Sequence, residues 1–108
     1  MKEIRAIVRP SRVPRLREAL RAIPNFPGVT MMRAEGFTAP AEMGKRSVRE
    51  ELTDFTDKVL VTVLADNGMV AVIRDAIIDA CHTGTIGDGL VWVLDIEEMY
   101  RIRTRLPY

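Results

Sequence analysis

Seven residues, Thr83-Gly84-Thr85-Ile86-Gly87-Asp88-Gly89, and two arginines that follow them, Arg101 and Arg103, have the types and spacing to hold phosphate. Three glycines within six positions are not expected to serve packing; they let the backbone turn left-handed and let a ligand come close to the main chain. Successive N–H groups in such a turn can form a concave anion site. Arg101 and Arg103 stand at i and i+2, so in a strand they share a face, and Arg105 continues the row. Two guanidinium forks would neutralise phosphate charge. Asp88 can accept backbone N–H bonds and hold the turn in shape, a structural role at least as well founded as ligand contact. Two plainer readings stand beside this one. Glycines are common in tight helix-to-strand connections, and alternate arginines are a normal guard on an exposed edge strand.

Other chemistry finds little support. No nucleophile–base pair is visible, and the single histidine, His82, leaves little for acid–base work, so no catalytic residue is expected. Cys81 and His82 are adjacent at a helix end and do not converge, and no further Cys or His completes a set, so no metal site is expected. The charged run Lys45 to Glu51 and the pair Glu97-Glu98 read as solvated surface.

The chain must fold to position these residues. It has 108 residues, 29% charged and 47% apolar, a single domain of globular composition. A net charge of +1 argues against a broad grip on nucleic acid. One cysteine excludes an internal disulfide and fits a reducing compartment. The opening Met1 to Arg5 lacks the apolar run of a signal peptide, and no segment reaches bilayer-spanning length. A soluble, cytoplasmic protein without membrane insertion is the expectation.

Ile4–Val8 reads as a strand stopped by Pro10. Ser11 is expected to cap a helix with the stripe Val13, Leu16, Leu20 and Ile23. Val29–Phe37 reads as a second strand. Residues 38–57 hold no sustained apolar period and read as a long functional loop. Val59–Ala65 is a third strand. Asp66 should cap a second helix with the stripe Val70, Ile73, Ile77 and Ala80, stopped by Gly84. Leu90–Ile96 is a fourth strand, followed by a helical turn at Glu97–Met99 and an extended piece at 101–104. The order β-α-β-β-α-β predicts the α+β, ferredoxin-like split βαβ fold. Apolar residues crowd both faces of the third strand, and two helices can cover only one, so another subunit should cover the second.

The chain resembles the PII signal-transduction proteins over nearly its full length. The resemblance rests on Met1 to Pro10, on the TGxIGDG signature at 83–89, and on Val91 to Glu98 with Arg101 to Thr104. It implies one PII-like domain over 1–108, with a T-loop at about 38–57, a B-loop at about 83–90 and a C-loop at about 100–105. It also implies a homotrimer binding ATP or ADP between subunits. Gly87, Asp88 and Gly89 look like the phosphate cradle. Arg101 and Arg103 look like C-loop arginines reaching the neighbouring subunit's site. Ile7, Thr30, Gly36 and Leu64 look like the wall and adenine-side positions, and Lys58 corresponds to the lysine that can pair with 2-oxoglutarate.

Departures from the family set further expectations. Leu90 stands where the family usually has lysine, so ADP or AMP should compete better with ATP. No tyrosine stands in 38–57, which excludes tyrosine modification there. The stretch Gly36 to Pro40 lacks the glutamine that helps hold magnesium with 2-oxoglutarate, which argues against 2-oxoglutarate sensing and leaves magnesium open. The resemblance thus implies a non-enzymatic regulator that controls a target protein through its T-loop, with a membrane transporter or nitrogen-metabolism protein as the expected class. A slow ATP-hydrolysing switch and a metal-binding trimer of CutA type are the alternatives.

Overall fold

The computed structural model describes residues 1–36 and 56–108. Strand β1 (Lys2–Val8) leads through a 3₁₀ turn at Pro10–Arg12 into helix α1 (Val13–Arg21) and strand β2 (Thr30–Gly36). Strand β3 (Thr56–Ala65) leads through a second 3₁₀ turn at Asn67–Met69 into helix α2 (Val70–Cys81) and strand β4 (Leu90–Asp95). A small hairpin, β5 (Tyr100–Arg101) with β6 (Leu106–Pro107), follows. The main sheet runs β2-β3-β1-β4 with every neighbouring pair antiparallel. This is the expected ferredoxin-like order, with the two βαβ halves interleaved.

The period-2 alternation of β1 sends Ile4, Ala6 and Val8 to one face, where they are buried with Val61, Val63 and Ala65 of β3. Leu16 and Leu20 of α1 and Ile73, Ile77 and Ala80 of α2 close over them. Val13, Ile23 and Val70, the other members of the two stripes, pack at the rim of this core. Both helices of the described residues lie on this one face. The opposite face has no cover among the described residues and presents Met32, Leu64, Leu90 and Leu94, each more than 40% exposed.

Several local expectations are corrected. Ser11 does not cap α1: Pro10 starts a 3₁₀ turn one residue earlier, closed by Arg12 N–H donating to the Arg9 carbonyl at 3.0 Å. Asp66 makes no side-chain cap either; its carbonyl accepts from Met69 N–H at 2.9 Å. Helix α2 ends because His82 is extended (φ −68°, ψ 128°), two residues before Gly84. Residues 97–99 form no helical turn. Strand β3 starts at Thr56, three residues before Val59, because pairing with β2 extends to Gly36. Residues 38–55 of the expected long loop, and Phe37 of the expected second strand, lie outside the described residues.

Candidate functional site

The glycine turn joins the end of α2 to the start of β4 and lies against the end of β1. Asp88 organises it. Its carboxylate accepts the N–H groups of Thr83 at 2.8 Å and Gly84 at 2.9 Å and the hydroxyl of Thr83. Arg9 Nη1 lies 3.6 Å away and His82 Nδ1 3.8 Å. The Thr83 hydroxyl, then the Thr83 and Gly84 N–H groups and the Arg9 charge, hold the Asp88 carboxyl down at about 2 against an ordinary 3.8. Thr85 N–H turns inward as well, to the Thr83 hydroxyl at 3.2 Å. The first half of the turn therefore spends its N–H groups internally.

The glycines have separate reasons. Gly89, at φ +101°, sits so close to β1 that a Cβ there would lie 1.7 Å from the Ile7 carbonyl oxygen. Backbone packing does require this glycine, contrary to the expectation that packing plays no part. Gly87, also at φ +101°, faces the Arg9 guanidinium, whose Nη2 would stand 2.9 Å from a Cβ.

Arg9 is the residue that sequence reasoning passed over. Its Nε donates to the Gly87 carbonyl at 3.1 Å, and its Nη2 donates to the Ile86 carbonyl at 2.7 Å and the Thr85 hydroxyl at 3.1 Å. It lies more than 70 residues from these partners, so local spacing carries no sign of it. The only available hint is an arginine between a strand and Pro10.

The expected wall residues share a surface. Register pairs Ile7 with Leu60 and Leu90, Thr30 with Thr62, Gly36 with Thr56, and Leu64 with Glu3. Alternation puts all four expected residues, with Lys58, on the helix-free face. Lys58 borders Gly36, its Cγ 3.9 Å from where a Cβ would stand.

The arginine row is not a strand face. Arg101 belongs to β5, but Arg103 lies in the turn between β5 and β6. Arg105 takes a left-handed φ of +63°, and its N–H donates to the Arg101 carbonyl at 2.8 Å, closing the hairpin. The Arg101 guanidinium stacks over Tyr108 at 4.6 Å. Strand β4 begins beside Ile7 and ends beside Lys2, so its six residues span about 17 Å between the turn and the hairpin side. Within one chain, Arg101 and Arg103 do not meet the glycine turn.

A shared fold alone would leave the family open. The family model of nitrogen regulatory protein P-II matches residues 1–106. The chain belongs to the P-II family. The P-II proteins of Rhizobium meliloti (40% identical over 112 residues) and Azospirillum brasilense (36% over 111) are among its relatives. So is nitrogen regulatory protein P-II 1 of Escherichia coli (34% over 107). Each alignment covers 96% of this chain and 93% of the relative. In this P-II chain the signature at 83–89 is thus a turn braced from inside by Asp88 and from just beyond β1 by Arg9. Among the described residues no helix is long and apolar enough to cross a membrane, and no three His, Cys, Asp or Glu side chains gather as metal ligands.

Proposed function

We propose that this P-II chain is a signal-transduction regulator that binds ATP or ADP, with AMP competing, in clefts between the subunits of a homotrimer. The observation that carries the reading is the helix-free face. It holds Ile7, Thr30, Gly36 and Leu64 together and presents apolar side chains left exposed among the described residues. A neighbouring subunit covers that face, and its Arg101 and Arg103 supply positive charge to the phosphate; within one chain these two lie at the far end of β4 from the turn. Gly87, Asp88 and Gly89 take the phosphate end as the B-loop. Lys58, beside Gly36, is the effector contact at the base of the T-loop of about 38–57. The T-loop carries the nucleotide state to a target protein, a transporter or a protein of nitrogen metabolism, in the cytoplasm.

Binding is the signal, with no chemistry on the nucleotide: differential affinity for two loop states is sufficient to switch a target. Calorimetric titration with ATP, ADP and AMP tests the reading, with saturable binding per subunit as the expected result. No heat from any of the three at millimolar concentration refutes it. Sustained phosphate release would replace the regulator with the hydrolytic switch. Light scattering that gives a monomer mass would remove the shared cleft.

A further inference from the structure

Arg9 acts on the turn through peptide geometry. In a planar trans peptide the C=O and the following N–H point to opposite sides. Arg9 draws the Ile86 carbonyl toward itself at 2.7 Å, which sends the Gly87 N–H away from the guanidinium. It draws the Gly87 carbonyl at 3.1 Å, which sends the Asp88 N–H the same way. Neither N–H has an acceptor among the described residues, whereas those of Thr83, Gly84 and Thr85 are all engaged inward. Two successive outward N–H groups form the anion-binding element of the turn. The next residue, Leu90, is apolar and 72% exposed, so no cation follows directly.

We propose that Arg9 is the positioning residue of the phosphate site: it holds the Ile86 and Gly87 carbonyls back so that the Gly87 and Asp88 N–H groups face the phosphate. The inference rests on the adenine-nucleotide reading above. Arg9 does not itself grip the phosphate, since its donors are committed to the turn and its charge faces Asp88 at 3.6 Å. The planar fork does the work, because four acceptors at fixed angles, the Gly87 and Ile86 carbonyls and the Thr83 and Thr85 hydroxyls, need a guanidinium, which an ammonium cannot replace.

Calorimetry with ADP and with adenosine on the wild type, Arg9→Lys and Arg9→Met tests it. Both variants should lose about tenfold or more in ADP affinity, as two preset N–H donors are released, and keep adenosine affinity within about twofold. Arg9→Lys binding ADP like the wild type would show that charge alone matters and overturn the proposal. So would equal losses for ADP and adenosine, or an unchanged Arg9→Met. If either variant fails to fold, the wild type decides. ADP, and not adenosine, should shift the amide resonances of Gly87 and Asp88 while leaving those of Thr83 and Gly84 in place; unmoved Gly87 and Asp88 signals overturn it. A wild type that binds no ADP removes the nucleotide reading together with this one, whereas intact ADP binding with an indifferent Arg9→Met removes this one alone.

Discussion

Replacing Gly89 by alanine should be far more damaging than the same change at the other glycines of the turn. The new Cβ would lie 1.7 Å from the Ile7 carbonyl oxygen, and contacts under 3.0 Å are essentially never adopted, so the two backbones must part by 1.3 Å or more. Both sides of the clash are main chain, and no rotamer relieves it. The φ of +101° adds about 1–3 kcal/mol for a residue with a side chain. Separating β4 from β1 where Leu90 pairs with Ile7 loses one or two ladder hydrogen bonds, about 1 kcal/mol each. Together these give about 2–5 kcal/mol, or a fall in Tm of about 8 °C or more for a domain of this size. Gly87→Ala carries the same φ cost of about 1–3 kcal/mol but meets only the tip of the Arg9 side chain, so no separation of backbones adds to it. Gly84→Ala, with its nearest neighbour at 3.9 Å and a φ of +85°, should cost about 1 kcal/mol. The assay is calorimetric melting of nucleotide-free protein at one fixed concentration, since association adds to apparent stability. A Gly89→Ala protein melting within about 4 °C of the wild type, or above Gly87→Ala, would refute the close approach.

Asp88 should make stability depend on acid. Its carboxyl is held at about 2 in the fold, so between about pH 4 and 2 the unfolded chain binds more protons than the native one. This contribution is fully present above the unfolded value, disappears as pH falls through that window, and should be missing from the Tm–pH profile of Asp88→Asn. Ile73→Ala empties a fully buried position between helix and sheet and should cost about 2–5 kcal/mol in urea unfolding. Leu64→Lys puts a charge on the helix-free face, where an unpaired buried charge costs about 3 kcal/mol or more, and should leave folded monomers by light scattering. An intact trimer of Leu64→Lys would place the subunit contact elsewhere. Burial pushes the Cys81 thiol up, against the opposing charge of Arg12, so iodoacetamide at neutral pH should label the native protein slowly and the unfolded chain fast.

The fold was legible because its signals are local and repeated. Leu16 and Leu20, and Ile73, Ile77 and Ala80, recur at helical spacing, and each residue of these stripes is buried. Element ends were less legible. Ser11 and Asp66 are good capping residues, yet Pro10 and the Asn67–Met69 turn start each helix by a 3₁₀ route that needs no side-chain cap. The arginine alternation misled because a single left-handed residue, Arg105, folds the segment back as a hairpin.

Composition, period and the 83–89 signature determine by themselves the βαββαβ order, the core stripes and the P-II resemblance, because each is written in residues close together in the chain. Tertiary structure alone decided the rest. It brought Arg9, just past β1, to the Ile86 and Gly87 carbonyls, pressed Gly89 against Ile7, and set Arg101 and Arg103 at the far end of β4 from the turn. Those relations join residues that strand register makes neighbours or strangers, and register is fixed only when the whole sheet closes over its core.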